Sequence, residues 1–125
     1  MYVLDSSALI EILEGSPLAK KIEALIQDAP LVTTSICMHE LLVGAHSEQE
    51  HFVLEHLFSN IRILDYTADA ARASAHMMRA LSETGTLINK MDILIAAICN
   101  VHDAHLLTLD KDFSRIKALN VSLIG

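Results

Sequence analysis

Short, mostly apolar runs alternate with longer segments of helical period along this chain of 125 residues. The short runs predict buried strands of a parallel sheet. They span Tyr2 to Leu4, Leu31 to Thr34, Ile61 to Leu64, Leu106 to Leu109 and Val121 to Ile124. Between them, apolar residues recur every three or four positions, which is typical of amphipathic helices. Strands separated by helices predict one α/β domain over residues 1–125, a three-layer α/β/α sandwich with a mainly parallel central sheet.

Hydroxyl side chains mark the expected starts of two helices. Ser6 or Ser7 is the predicted N-cap of a helix that ends at Leu13, and Ser35 is the predicted N-cap of a helix that ends near Gly44. Further helices are predicted at 18–26, 48–58, 67–83 and 91–101.

Four acidic residues lie at the edges of these predicted elements: Asp5, Glu40, Asp92 and Asp110. Asp5 and Asp110 directly follow strands, Glu40 lies in the helix after the second strand, and Asp92 begins the helix before the fourth. The carboxyl ends of parallel strands meet at one edge of a sheet. We therefore expect all four carboxylates to face one cleft.

A cluster of four carboxylates indicates a divalent metal. At about 5 Å each pair repels by roughly 3 kcal/mol at an effective dielectric near 20. Ligands that are all oxygen favour hard cations, so Mg²⁺ or Mn²⁺ is expected. One such ion activates a water and a second stabilises the leaving oxygen, which is phosphodiester chemistry. Whether one or two metals bind is left open.

Composition narrows the function classes. The net charge is -7 and the isoelectric point is near 5.3, which argues against a broadly basic surface that grips nucleic acid, although a local basic patch is compatible. Cys37 and Cys99 lack the spacing of a zinc site and are predicted to be reduced core residues. No segment reaches the ~18 apolar residues of a membrane helix, so no membrane contact and a cytoplasmic location are expected.

Four motifs, in this order and at these spacings, resemble those of the PIN-domain ribonucleases. They are DSSAL at 5–9, ELLVG at 40–44, DILIAA at 92–97 and TLDKDF at 108–113. Within that family the chain is most similar to VapC-type toxins of toxin-antitoxin pairs, although residues 122–125 lack the tryptophan that often closes them. The resemblance implies a PIN-like nuclease domain, a Mg²⁺-dependent endoribonuclease that cuts tRNA, rRNA or mRNA and leaves a 5′-phosphate and a 3′-hydroxyl. It also implies a homodimer inhibited by a small antitoxin protein.

The resemblance assigns a role to each acid. Asp5, Glu40 and Asp92 match the three core acids, Asp110 matches the usual fourth, and Asp112 matches an auxiliary acid. Asp110 and Asp112 are interchangeable at this level, and Asp112 is equally a turn residue that caps a segment from 113 to 119.

Other residues are expected to support these acids. Ser7 and Thr108 match the small hydroxyl residues that hold the carboxylates by hydrogen bonds. The basic residues expected near the cleft and at RNA phosphates are Arg79, Lys90, Lys111 and Arg115.

Three other functions compete with the nuclease. A haloacid-dehalogenase-like phosphatase requires a second Asp where this chain has Ser7. A phosphoacceptor receiver would use Asp5, Asp65 and Lys111 but leaves Asp92 unexplained. A catalytically silent PIN-like protein-interaction module, which works only through its partner, remains open. For either function, the amphipathic helices between residues 16 and 58 are expected to form a partner groove.

Overall fold

Parallel strands and helices alternate in the computed structural model, which describes residues 1–86 and 88–125. Within that part of the chain the elements are β1 Tyr2–Leu4, α1 Ser6–Glu14, α2 Pro17–Ile26, β2 Val32–Thr34, α3 Ser35–Val43, α4 Glu48–Ser59, β3 Arg62–Leu64, α5 Ala68–Glu83, α6 Lys90–Val101, β4 His105–Thr108, a 3-10 helix Lys111–Arg115 and β5 Asn120–Leu123. Each predicted strand is confirmed to within one residue at either end. None of the helices in the described ranges is long and apolar enough to cross a membrane.

The strands form a parallel sheet in two hydrogen-bonded parts. β4 pairs with β1 on one side and with β5 on the other, and β2 pairs with β3. β1 also lies against β2, and the Thr33 hydroxyl donates a hydrogen bond of 2.7 Å to the carbonyl of Leu4. The spatial order is therefore β3-β2-β1-β4-β5, with β1 at the centre and β4 beside it. Their carboxyl ends carry Asp5 and Asp110.

Two hydrophobic cores occupy the opposite faces of this sheet. Side chains of consecutive strand residues point to opposite faces. Val3 and Leu106 accordingly join a core with α5 and α6, whereas Leu4 and Leu107 join a second core with α1 and α2. Burying each such leucine contributes about 1.5–3 kcal/mol to folding. The predicted three-layer sandwich is confirmed.

The N-cap of α1 is Asp5. Its Oδ1 accepts a hydrogen bond of 3.1 Å from the backbone N–H of Ala8. The prediction that Ser6 or Ser7 caps this helix was therefore wrong. The helix begins directly at the end of β1. Asp5 has the extended backbone of an N-cap residue, whereas Ser6 and Ser7 are already helical.

The same one-residue offset occurs at α3. Thr34, the last residue of β2, accepts a hydrogen bond of 3.1 Å from the N–H of Cys37. The predicted cap, Ser35, is instead the first helical residue, and its hydroxyl accepts a hydrogen bond of 3.2 Å from the N–H of Tyr66. Strand and helix are thus joined without a connecting residue, which places α3 close above the sheet edge.

The cysteine prediction is confirmed. Cys37 and Cys99 are both free thiols and both fully buried. Burial raises the pKa of the Cys99 thiol to about 12. Both side chains therefore act as small apolar residues of the core that contains α5 and α6.

Candidate active site

Asp5 is the most enclosed carboxylate of the site, with only 6% of its surface exposed. Its Oδ1 accepts hydrogen bonds from the Ser7 hydroxyl at 2.6 Å and from the N–H of Ala8 at 3.1 Å, and its Oδ2 accepts one from the Thr108 hydroxyl at 2.5 Å. Burial raises the pKa of this carboxyl above its ordinary value, and the three hydrogen bonds oppose that rise. Asp5 is therefore fixed in position at an energetic cost.

The two hydroxyls that hold Asp5 also hold the end of β4. The Ser7 oxygen accepts a hydrogen bond of 3.1 Å from the N–H of Leu109. The Thr108 oxygen accepts one of 3.0 Å from the N–H of Asp110. Each hydroxyl thus donates to the carboxylate and accepts from the chain that follows β4. The start of α1 and the end of β4 form one hydrogen-bonded unit.

Asp110 ends this unit and begins the 3-10 helix. Its Oδ1 accepts a hydrogen bond of 2.9 Å from the N–H of Asp112. Asp112 lies 3.8 Å from the guanidinium of Arg115, with both side chains about half exposed. The prediction that Asp112 caps a segment from 113 to 119 was wrong, because Asp110 is the cap and the helix ends at Arg115.

Glu40 approaches the cleft from α3. It is the sixth residue of that helix and is partly buried. Its Oε1 accepts a hydrogen bond of 3.0 Å from the Ser6 hydroxyl. This contact joins residues 34 positions apart, and sequence reasoning missed it because it depends on how α1 and α3 pack. The only available signal was the position of Ser6 between two residues already assigned to the site.

Asp92 lies in the first turn of α6, where Asn89 caps the helix by accepting a hydrogen bond of 2.8 Å from the N–H of Met91. Burial, and after it nearby negative charges, together raise the pKa of the Asp92 carboxyl from its ordinary 3.8 to about 6. In decreasing order these charges belong to Asp110, Glu40, Asp5 and Asp112. All five acids named from the sequence therefore lie in one electrostatic neighbourhood.

The acids are near one another without forming a ready ligand set. Within residues 1–86 and 88–125, no three His, Cys, Asp or Glu side chains are arranged to hold a metal ion. Repulsion between carboxylates acts over longer distances than the roughly 2.0–2.6 Å of a metal-oxygen bond. The acids can therefore raise the pKa of Asp92 without being close enough together to share a metal ion. The donors, all carboxylate oxygens, fit Mg²⁺ or Mn²⁺ in their chemistry. Asp92 is partly buried, and its side-chain torsions leave room for adjustment.

The basic residues differ in their relation to the acids. All four are exposed: Arg79, Lys90, Lys111 and Arg115. Lys90 begins α6 two residues before Asp92, and Lys111 directly follows Asp110. Arg115 is ion-paired within the 3-10 helix. Arg79 lies in the C-terminal half of α5, and no described contact links it to an acid.

An apolar groove of about 570 Å³ opens beside Glu40, between α1, α3 and α4. Its apolar walls include Ile10, Leu13, Leu41, Val53 and Leu54, and Ser6, Glu14, Glu40 and Glu50 supply polar groups. The expectation of a groove between residues 16 and 58 needs correction, because α1 forms one wall and no α2 residue of the described chain lines it. The exposed Ile10 and Leu13, three residues apart on α1, were the missed signal.

Comparison with known proteins gives a consistent result. The PIN domain model matches residues 2–119. Ribonuclease VapC10 of Mycobacterium tuberculosis is 31% identical over 111 residues, which are 88% of this chain and 83% of that protein. Ribonuclease VapC2 of Rickettsia felis is 26% identical over 126 residues, 95% of this chain and 94% of that protein.

Solved structures agree with the sequence relatives. The structure of VapBC2 from Rickettsia felis bound to a promoter DNA fragment superposes with a TM-score of 0.85 at 25% identity, over 98% of this chain and 97% of that one. VapBC-5 from Mycobacterium tuberculosis superposes with a TM-score of 0.77 at 27% identity, over 97% and 96% of the two chains. The similarity thus extends over nearly the whole length of each protein.

Proposed function

The chain belongs to the PIN domain family and, within it, to the VapC-type ribonucleases, and from this premise we propose that it is a Mg²⁺- or Mn²⁺-dependent endoribonuclease. It hydrolyses RNA phosphodiester bonds and acts as the toxin of a toxin-antitoxin pair. The observation that supports this proposal is the hydrogen-bonded unit in which Thr108 joins Asp5 to the chain at Asp110. This unit lies close enough to Asp92 for the charges of both acids to act on its carboxyl.

Metal binding would offset the cost of gathering these charges. Four or five carboxylates in a partly buried cleft repel one another, and a divalent cation is the group that best compensates such a cluster. Asp5, Glu40, Asp92 and Asp110 would hold it, with Asp112 as an auxiliary ligand. The chemistry that such a cation would supply here is activation of the attacking water and stabilisation of the leaving oxygen.

The hydroxyls beside Asp5 act through that carboxylate. Ser7 and Thr108 donate to different oxygens of Asp5, so together they fix the plane of the carboxylate. A ligand held in one orientation loses less entropy when it binds. In the proposed enzyme these two residues orient the most buried ligand, while Asp92 adjusts to the cation.

RNA would be held by local positive charge. The chain carries a net charge of -7, so the phosphates must be attracted near the cleft and not by the surface as a whole. Lys90 and Lys111 flank Asp92 and Asp110 in sequence and are the first candidates. Arg79 and Arg115 are the further candidates, with Arg115 shared between the phosphate and Asp112.

The apolar groove is the proposed site for a small antitoxin protein. The solved relatives include VapBC2 and VapBC-5, the latter a member of the VapBC family of toxin-antitoxin systems. Apolar walls with Glu14, Glu40 and Glu50 nearby suit an apolar segment that also carries basic residues.

A homodimer is part of the same proposal and is tested by light scattering of the purified protein.

Cleavage by purified protein tests the proposal. Metal-free protein is mixed with labelled cellular RNA, and Mn²⁺ or Mg²⁺ is then added. We expect fragments with 5′-phosphates in the presence of metal, none in EDTA and none with Asp92→Asn. The matched control is Asp65→Asn, an exposed aspartate after β3, which should cut normally. Absence of cleavage by folded wild type with either metal would favour the silent interaction module.

A further inference from the structure

We propose that Ser6 is a positioning residue that holds Glu40 in the orientation required for the divalent cation. This role deepens the proposed function and rests on it. The supporting contact is the hydrogen bond of 3.0 Å from the Ser6 hydroxyl to Oε1 of Glu40. Ser6 differs from Ser7 and Thr108, because it acts on the acid supplied by α3 and not on Asp5.

The Ser6 hydroxyl is a well-fixed anchor. Ser6 is the first residue of α1, between the cap residue Asp5 and Ser7. Asp5 is held by Thr108, and the Ser7 oxygen accepts from the N–H of Leu109. The start of α1 therefore cannot move relative to β4 without breaking these contacts. A donor on such a rigid frame gives a precise position to whatever it binds.

Glu40, in contrast, needs an anchor. Its side chain has three rotatable torsions and projects from α3, and it is only partly buried. Three hydrogen bonds fix Asp5. For Glu40, the hydrogen bond from Ser6 is the contact that ties its side chain to α1. Selecting one orientation of a glutamate in advance removes an entropic cost from metal binding.

The apolar groove lies directly beside the hydrogen bond between Ser6 and Glu40. Ser6 and Glu40 both line it, together with Leu41 and Gly44. Without the Ser6 hydroxyl, the Glu40 side chain would have open space on the groove side into which it can turn away from Asp92. The hydrogen bond therefore restrains Glu40 at a point where its side chain lines the groove while its charge still acts on Asp92.

The test measures metal affinity and requires no RNA. Mn²⁺ is titrated into metal-free wild type, Ser6→Ala and Ser6→Thr by calorimetry. We expect Ser6→Ala to weaken Mn²⁺ binding by about 10-fold, the lower end for loss of a hydrogen bond to a ligand, and Ser6→Thr to restore most of it. The control Ser59→Ala, whose hydroxyl donates to the backbone of α4, should bind as wild type does.

A double-mutant cycle separates positioning from a general structural effect. If Ser6 acts through Glu40, adding Ser6→Ala to Glu40→Gln should weaken Mn²⁺ binding no further. Additive losses, or a Ser6→Ala variant that binds like wild type, would overturn the role of Ser6 while leaving the ribonuclease in place. Wild type that binds no Mn²⁺ would overturn the metal-dependent function itself, and the role of Ser6 with it. Thermal melts without metal verify that each variant folds.

Discussion

Thr108 donates a hydrogen bond of 2.5 Å to Oδ2 of Asp5, although 103 residues separate them in sequence. The threonine is fully buried and Asp5 nearly so. Because β1 and β4 pair in parallel with Leu4 beside Leu107, the next residue of each strand is brought to the same edge. The sheet register itself thus creates the best-fixed part of the candidate site.

Loss of this hydroxyl should destabilise the protein. Thr108→Val keeps the shape but leaves Asp5 Oδ2 and the N–H of Asp110 without their partner, which should cost about 1–3 kcal/mol. Urea unfolding measures the change. Thr108→Ser retains the hydroxyl and should lose much less stability. Equal stability of the valine variant and wild type would show that the contact does not contribute.

Divalent metal should stabilise the fold through the same acids. A ligand at 100 times its dissociation constant stabilises the native state by about 2.7 kcal/mol. Mn²⁺ or Mg²⁺ should therefore raise the melting temperature by several degrees, and Asp5→Asn or Asp92→Asn should remove most of that increase. Calorimetric melts with and without metal measure it. A melt of the wild type that does not change at saturating Mn²⁺ would count heavily against the site.

Stability of the metal-free protein should depend on the protonation of Asp92. The pKa of this carboxyl is about 6 in the folded protein, against an ordinary value of 3.8. The folded state therefore binds this proton more tightly than the unfolded state does. The resulting contribution to the free energy of unfolding is complete below about pH 4 and is lost as the pH rises through about 6. Asp5 shifts in the same direction.

A comparison of variants in EDTA isolates this effect from the histidines. Asp92→Asn cannot ionise, so its melting temperature should gain on that of wild type as the pH rises from about 4 to 7. The exposed Asp65→Asn should show no such trend. A constant difference between Asp92→Asn and wild type across this range would contradict the pKa shift.

The groove should select a partner segment that is apolar and basic. Helical peptides chosen from a library against wild type should lose binding to Val53→Glu, which places a charge on the groove wall. Leu25→Glu on α2 is a close match, because Leu25 is 41% and Val53 is 42% exposed, and it should bind normally. Equal loss in both variants would mean that the peptides bind elsewhere.

The sequence predicted the strands and the acids for the same reason. Buried parallel strands are short apolar runs, and a polar residue such as Asp5 at the end of one is conspicuous. The helix caps were misplaced by one or two residues because neighbouring polar groups, such as Thr34 and Ser35, are equally able to cap. Only the backbone conformation decides between them.

The sequence did not predict two side-chain contacts. The Ser6–Glu40 hydrogen bond depends on the packing of α1 against α3. The ion pair of Asp112 with Arg115 depends on a 3-10 helix that ends sooner than expected. The groove was predicted between the amphipathic helices of residues 16 to 58. The apolar face of α2 is instead used in the core, where Ile22 and Ile26 are buried.

Sequencing of RNA 5′ ends in cells tests the central claim most directly. Wild type and Asp5→Asn are induced in parallel, with circular dichroism to establish that both are folded. We predict discrete new ends with 5′-phosphates in cells with wild type and none in cells with Asp5→Asn, because Asp5 is the best-fixed of the proposed ligands. Identical profiles from two soluble, folded proteins would contradict a metal-dependent endoribonuclease built on these acids.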